Sequence, residues 1–417
     1  MEELKNVVFI SYDGMTDPLG QSQVLPYISK LGPLGYKFHL ISCEKKNNFD
    51  KHANTIKEIC DSNNITWHPL DFQNGIPVIS SMQNIKLIGK KLLEIKQNHG
   101  IDMIHARSYV PAIKALAFKR KYDIPFLFDM RGFWPDERVD GKIWNLKIPL
   151  FKLVYNYFKK KEIQFLEEAN EIVSLTEAGK KEMLSWKHIK RDLSNIEVIP
   201  CCADLNFFSP KSVSEETQTK FKEELSISNN DFILSYLGSI GSWYMLDEML
   251  QFFAVLKAKK SNAKFLFVTK DSPDFILNKV KEFNIDPNDI IIKPSERSEL
   301  PSLISLSDVS IFFILPAYSK KASSPTKQAE LLGLGVPIIC NDNVGDTGPV
   351  VKENQAGMVI SEFNKKTYEQ VISKIDEIAS IDTEHLRKVA KSYASLEKGY
   401  ESYKKVYRLC LNSDLQS

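Results

Sequence analysis

The sequence predicts an α/β fold of two doubly wound, Rossmann-like domains, and three observations carry that reading. Short runs rich in Val, Ile, Leu and Phe alternate with helical-period segments from end to end, as buried parallel strands alternate with crossover helices. A chain of 417 residues exceeds what one hydrophobic core supports, so two domains are expected. The alternation pauses once, after Pro200, in a polar stretch over 211–224, and resumes at Phe232.

In the first half, strands are predicted at 6–11, 38–42, 103–106, 126–129, 172–175 and 196–199, separated by helices such as 21–34, 85–97 and 109–120. The second half repeats the pattern with strands at 232–237, 264–268, 290–292, 309–313, 337–340 and 358–360. A last helix over 384–411 carries an apolar stripe (Leu386, Val389, Ala390, Tyr393, Tyr400, Tyr403, Val406) and is long enough to reach both domains. The carboxyl ends of the two sheets are expected to face a central crevice, where wound folds bind ligands.

Composition narrows the function classes. Hydrophobic residues make up 43% and charged residues 26%, ordinary for a globular protein, and the net charge of +2 argues against a dedicated nucleic-acid binder. Residues 1–200 hold 29 Lys+Arg against 24 Asp+Glu and the remainder 26 against 29, so the basic excess lies in the first half, where it suits an anionic membrane surface or a phosphorylated substrate. Six cysteines without C-x-x-C spacing read as reduced core residues of a cytoplasmic protein. The first residues show no signal-peptide pattern, and no later run approaches ~20 apolar residues, so neither export nor a spanning helix is expected.

The densest functional signal is Ser323-Ser324-Pro325-Thr326-Lys327-Gln328-Ala329-Glu330, followed by Leu331-Leu332-Gly333-Leu334-Gly335-Val336-Pro337. Ser324 is expected to cap a helix starting at Pro325, leaving outward N–H groups as an anion site. Lys327 in the first turn opposes the helix dipole unless an anion sits there, and Glu330 lies on the same face, suited to accept hydrogen bonds from vicinal hydroxyls. The bland alternative is a capped surface helix with a Lys-Glu pair. After the strand at 232–237, Gly238-Ser239-Ile240-Gly241-Ser242-Trp243-Tyr244 offers a second small-residue loop, and Lys270 and Asp271 follow the next strand in the same way.

In the first half, Asp13, Gly14, Asp17, Gly20, Gln21 and Ser22 follow the first strand in a loop that lacks the G-x-G-x-x-G fingerprint. His105 and Arg107 share one face of a short strand, either as site residues or as hydrogen-bonded core. Arg131, Trp134, Asp136, Glu137 and Arg138 crowd the loop after 126–129, either against polar chemistry, with Trp134 stacking on a sugar ring, or as an internal salt-bridge cluster. Residues 142–161 combine Ile143, Trp144, Leu150, Leu153 and Tyr157 with six lysines, which fits a membrane-interface face or a core-facing helix with a lysine rim. No His/Cys/Asp cluster has metal-ligand spacing and no P-loop appears, so neither metal nor cofactor is expected.

Together these residues resemble the retaining GT-B glycosyltransferases of family 4. The segment Ile199-Pro200-Cys201-Cys202-Ala203-Asp204 through Phe208 is similar to that family's I-P-N-G-V-D-x-x-x-F hinge, and Ser324 to Glu330 with Gly335-Val336-Pro337 is similar to its donor-binding helix and strand. The resemblance implies an acceptor-binding domain over 1–205, joined by the terminal helix from about 392 onward, and a nucleotide-sugar domain over 206–391. It implies that Glu330 holds the ribose, that Lys327 with Ser324, Pro325, Thr326, Gly238, Ser239 and Lys270 forms the donor site, and that Arg131-Gly132 stands where many members have His-Gly beside the transferred sugar. Arg131, His105 and Asp13 are then the expected catalytic groups, and Asp17, Gly20, Gln21, Trp134 and Asp136 the acceptor or sugar contacts. Three departures stand out: Ala322 replaces the first glutamate of E-x7-E, the Arg/Lys pair usual after Gly238 is missing, and the hinge Asn-Gly is Cys201-Cys202. Charge neutralisation is therefore expected from Lys327, Lys320, Lys321 and Arg131, and a one-phosphate donor such as a CMP-sugar stays open. The implied reaction moves a sugar from a nucleotide donor to a saccharide or lipid-linked acceptor in cell-surface glycan synthesis. A non-hydrolysing nucleotide-sugar epimerase, with His105, Asp13 and Asp136 as acid/base groups, is the alternative, and a non-catalytic nucleotide-sugar binder is a third.

Overall fold

The computed structural model describes residues 4–75 and 77–412. It divides into two compact units, one built from the chain up to Pro200 together with the segment from Leu396 onward, the other from Cys201 to Ser395. The first unit carries β1 (Lys5–Ser11), β2 (Tyr36–Glu44), β3 (Ile65–Asp71), β4 (Met103–Arg107), β5 (Phe126–Asp129), β6 (Glu171–Ser174) and β7 (Glu197–Val198), in the order β3-β2-β1-β4-β5-β6-β7. The second carries β8 (Phe232–Leu237), β9 (Ala263–Val268), β10 (Ile290–Lys293), β11 (Val309–Phe312), β12 (Ile338–Asn341) and β13 (Gly357–Ile360), in the order β10-β9-β8-β11-β12-β13.

Every pairing between these strands is parallel, so within each unit all strands end at one edge of the sheet. The central strands are apolar because both faces are covered: β1, β4, β5, β8 and β11 are buried over nearly their whole length. Strand order reverses between β1 and β4 and again between β8 and β11, which opens the switch-point crevice of a wound sheet at each place. All six cysteines are buried, as core residues are.

Three elements depart from the sequence reading. β3 was not anticipated, because Ile65-Thr-Trp-His-Pro-Leu-Asp71 alternates in burial and contains Pro69; it is an edge strand, where a missing N–H is tolerated. The helix expected over 21–34 is two short helices, Pro18–Gln23 and Leu25–Leu31, broken at Val24, whose φ of −127° leaves the helical range just before Pro26. The long terminal helix is likewise two, Thr383–Ala394 and Leu396–Asn412, interrupted at Ser395 with an extended ψ of 149°. Ser395 pairs with Ala203 in an isolated parallel bridge, so both chain connections leave the second unit side by side.

Helix Leu396–Asn412 completes the first unit. It buries Tyr403, Val406, Tyr407 and Cys410. The Tyr403 hydroxyl donates to Asp129 Oδ2 at 2.9 Å, and the Tyr407 hydroxyl lies 2.7 Å from His105 Nδ1. On the other side of β1, His39 and His68 share a 3.1 Å contact between ring nitrogens, and His99 stacks on His39 at 4.8 Å. Burial, then the neighbouring His68, His99 and Lys37 charges, push the His39 pKa down to about 4; burial and then Lys91 do the same for His68.

A base whose folded pKa lies below its unfolded value of about 6.5 stabilises the fold above that pH and loses the contribution as pH falls toward the folded value. Urea unfolding is therefore expected to give lower stability at pH 5 than at pH 7, by about 1 kcal/mol per ring once solvent screening is allowed for. His68→Gln is expected to flatten that pH dependence; an unchanged slope would remove the rings as its source.

Candidate functional site

The second unit gathers a charged cluster at the carboxyl edge of its sheet, around the β8 and β11 switch point. Helix Thr326–Gly333 begins one residue later than expected: Pro325 is its N-cap and no side chain caps it. The expectation that Ser324 caps the helix is corrected. Its Oγ instead accepts from the Cys201 backbone N–H at 3.1 Å, bracing the segment that enters the unit. Thr326, half-buried, opens the helix, and the Lys327 and Glu330 side chains are buried one turn apart.

Lys327 is not a surface charge. Its Nζ stands 3.6 Å from the Tyr244 ring centroid and 4.3 Å from that of Tyr236, and donates to the Tyr236 hydroxyl at 3.2 Å. Gly238, with φ of +106°, lets the amine pass: a Cβ there would lie 3.3 Å from Nζ. Burial holds the Lys327 pKa well below the ordinary lysine value, against the pull of Glu330 and Asp271. Burial raises the Glu330 pKa, opposed by Arg297, whose Nη1 is 3.8 Å from Oε1, and by Lys327. The Arg297 guanidinium itself lies over Phe207 and Phe208, at 5.5 and 5.3 Å from their centroids.

The loop after β8 is not an open nest of N–H groups. Asp271 accepts from the Ile240 N–H at 2.5 Å and from the Ser239 hydroxyl at 3.1 Å, so a carboxylate of the chain itself occupies part of it. Lys270 is exposed and paired with Glu296 at 2.9 Å, which leaves it outside the buried cluster.

The first unit has its own charged edge. Asp13, in the loop after β1, accepts from Arg107 at the end of β4 at 2.8 Å, across the switch point. Arg131 follows β5 with a left-handed φ of 54°, beside Gly132 at 107°, a tight reversal that brings the guanidinium back to 3.9 Å from Asp129 Oδ1. Burial drives the Asp129 pKa up, but Arg131, His105 and Arg107 outweigh it and hold the carboxylate ionised.

Glu44, at the end of β2, fixes the loop that carries Asp13. Its carboxylate accepts from the Met15 and Thr16 N–H groups at 2.7 and 3.1 Å, from the Thr16 hydroxyl at 2.5 Å, and from Ser42 at 2.5 Å. Gly20 seals the same turn, since a Cβ there would fall 2.3 Å from the Gly14 carbonyl oxygen.

Several expected site residues turn out to be internal braces. Both ring nitrogens of His105 are engaged, with Tyr407 and with Asp129 at 3.3 Å, and burial lowers its pKa, so it joins the terminal helix to the sheet and is not available as a catalyst. Trp134, half-buried, packs among Trp144, Phe158, Tyr109 and Arg138. Asp136 accepts from Tyr155 at 2.9 Å and Lys159 at 3.0 Å, the internal salt-bridge alternative. Asp17 is held by Lys45 at 2.8 Å and by Asn48, and Gln21 donates to the Thr16 carbonyl at 3.3 Å. Asp13 and Arg131 keep their place at the edge. Glu44 and Arg297 were not singled out from sequence; a carboxylate ending an otherwise apolar strand is a readable signal for the first, whereas nothing in Ser295-Glu-Arg-Ser-Glu299 marks the second.

Comparison with known proteins gives this architecture its class. The model described as Glycosyltransferase Family 4 matches residues 27–207, and that described as Glycosyl transferases group 1 matches residues 217–394. The chain belongs to the family 4-like glycosyltransferases and has their two-domain GT-B α/β fold. It is a glycosyltransferase. Among solved structures, it is similar to a glycosyltransferase from Rickettsia africae, with 20% identity, TM-score 0.72, and 98% of this chain and 99% of that one covered. An Anabaena protein solved with UDP and glucose shares 11% identity, TM-score 0.68, and 96% and 99% coverage. A UDP-N-acetylglucosamine 2-epimerase shares the fold more distantly, with 10% identity, TM-score 0.56, and 97% and 95% coverage. No match was found among the curated proteins.

Burying an ammonium costs stability. Lys327→Met is expected to stabilise the unliganded protein by about 1 kcal/mol at pH 7, read as a higher Tm. Because the folded pKa lies below the unfolded one, wild type gains stability as pH rises, so the gap between the two should narrow toward pH 10. A variant of lower Tm would show that the ammonium is well compensated where it lies.

Proposed function

We propose that this glycosyltransferase takes its sugar from a nucleotide-sugar donor bound by the second unit, with Glu330 accepting from the ribose hydroxyls and Lys327 with the helix amino terminus facing phosphate. The observation that carries the reading is the burial of Lys327 and Glu330 one turn apart at a switch-point edge, a charged pair that packing alone does not favour. Arg297 keeps Glu330 toward its ionised, hydrogen-bond-accepting form. UDP and glucose in the Anabaena relative add support for a donor of this class.

In this reading the acceptor is a saccharide or a lipid-linked saccharide of a cell-surface glycan, and the transfer retains anomeric configuration without a metal or a side-chain nucleophile. The bond between the sugar C1 and the donor phosphate oxygen breaks with its electron pair on the phosphate. A bond forms between C1 and the acceptor oxygen, and the acceptor proton passes to a donor phosphate oxygen. Lys327 stabilises the leaving charge, and Arg131 and Asp13 of the first unit contact the acceptor. The epimerase alternative loses ground because His105 and Asp136, two of its three acid/base groups, are tied into internal contacts.

Thermal shift against UDP, GDP, ADP and CMP is expected to pick out one nucleotide, since a ligand at about 100 times its Kd adds about 2.7 kcal/mol. Glu330→Ala is expected to weaken that nucleotide's binding by about tenfold or more in titration calorimetry. An unchanged Kd would refute the ribose assignment.

The reading includes peripheral contact with the cytoplasmic face of an anionic membrane. Among the described residues no helix is long and apolar enough to cross a membrane. Helix Pro149–Glu168 and the segment before it instead expose Ile143, Ile148, Leu150, Leu153 and Tyr157, and Leu153 is 67% exposed. Six lysines and no acidic residue lie between Lys142 and Lys161, an apolar ridge with a basic rim suited to anionic headgroups. Wild type should float with phosphatidylglycerol vesicles at low salt, and Leu150→Ser with Leu153→Ser should stay in solution; equal flotation of both would discard the ridge as the contact.

A further inference from the structure

The first unit holds a cavity of about 1320 Å³ away from its charged carboxyl edge. Leu4 just before β1, Tyr36 at the start of β2 and Ile65 at the start of β3 line it, so it lies toward the amino edge of the sheet, opposite the loops that carry Asp13 and Arg131. β1 spans seven residues, which at ~3.3 Å per residue sets the two edges about 20 Å apart. A single sugar at one edge does not reach the other.

Two elements build its walls. Helix Lys46–Ser62 turns Ile56 and Cys60 into the core and presents Phe49, Ala53 and Lys57, spaced by four, along the cavity. Edge strand β3 contributes Ile65, Trp67 and Pro69 at alternate positions, which share one face. Tyr36, Phe49 and Trp67 are each half-buried, so part of each side chain stays open. Contacts with the sheet and the terminal helix fix these rings. The Trp67 indole N–H donates to Ser42 Oγ at 2.8 Å, and the Ser42 hydroxyl donates to Glu44 at 2.5 Å. Tyr407 meets Tyr36 edge-on at 5.4 Å, and Phe49 tilts against Trp67 at 5.8 Å. With its one N–H spent on Ser42, Trp67 offers the cavity only carbon surface.

Around these rings the lining is polar but nearly balanced in charge. Asn54, Asn64 and Thr66 are exposed members of it, and its charged side chains are Lys37 and Lys57 against Asp61. An anion would call for a basic lining, and a lipid chain would strip water from amides it cannot pair with. A pyranose suits both parts of the lining: its ring carbons give an apolar face for a fixed aromatic platform, and its hydroxyls pair with side-chain amides. The volume exceeds the roughly 300–1,000 Å³ of pockets that hold one drug-sized ligand, so several linked rings fit. We propose that this cavity is a second saccharide site, which grips a neutral oligosaccharide stretch of the glycan away from the end that receives the new sugar. The inference rests on the reading of the acceptor as a saccharide and adds a site that the transfer chemistry itself does not require.

The test is titration calorimetry of the full chain with maltohexaose, cellohexaose, xylohexaose, mannohexaose and N-acetylchitohexaose, and with hexagalacturonate as the charged control. Wild type is expected to bind at least one neutral hexamer and to prefer it to hexagalacturonate. Trp67→Ala should weaken that binding about tenfold, and Trp67→Phe, which keeps a ring, should recover most of it. Because Trp67 is tied into the sheet, Ala53→Arg supplies a second arm: it fills the cavity from the helix wall and should abolish binding at an unchanged Tm. No neutral hexamer bound, a preference for hexagalacturonate, or full affinity in Ala53→Arg would each overturn the proposal. Binding lost in Asp13→Ala but kept in Trp67→Ala and Ala53→Arg would assign the saccharide to the carboxyl edge, overturning the cavity site and leaving the saccharide-acceptor reading intact. A wild type that dimerises in sedimentation velocity, and turns monomeric with Ala53→Arg, would give the cavity to a second copy of the chain and overturn the proposal as well.

Discussion

Parallel pairing is the constraint on which the rest depends. Because each strand runs the same way as its neighbours, every strand of a unit delivers its last residue to a single edge. Residues far apart in sequence, such as Asp13 and Arg107, or Gly238 and Lys327, then meet without any dedicated scaffold. Crossover helices cover both faces, so the strands are free to be apolar and the polar residues collect where the strands stop.

What the two edges do with that concentration of charge differs. In the first unit a carboxylate of the chain, Glu44, satisfies the N–H groups of the β1 loop, so the loop is rigid before any ligand arrives. In the second, Asp271 does part of the same work, and the Lys327 amine lies against the faces of Tyr236 and Tyr244. One edge holds its loop through a carboxylate of the chain; the other buries a lysine and a glutamate one turn apart, at a cost in desolvation.

Much of this was legible in the sequence where periodicity was strong. Strands such as Phe126–Asp129 and Phe232–Leu237 stand where their apolar runs lie, because burial on both faces leaves no room for polar alternation. β3 was not, since an edge strand has one wet side and tolerates Pro69. Lys327 and Glu330 were found by their place on a helix turn, but their burial was not, because burial depends on Tyr236 and Tyr244, some 90 residues away in sequence. His105, Trp134 and Asp136 carry chemistry-bearing side chains near a strand end; only their partners Tyr407, Phe158 and Lys159 show that these side chains are spent on cohesion.

The return of the chain to its first unit also orders events during synthesis. A ribosome releases residues from the amino terminus, and domains tend to fold as they emerge. The first unit cannot do so fully, because Tyr403 and Tyr407, which satisfy Asp129 and His105 in its interior, are made after the whole second unit. Until then an ionised carboxylate and an imidazole beneath the sheet lack these hydroxyls, and the groove for helix Leu396–Asn412 lies open. The second unit, although begun later, is therefore the first whose residues are all present, and a nascent chain stalled before residue 396 would display a half-built first unit as a natural target for chaperones.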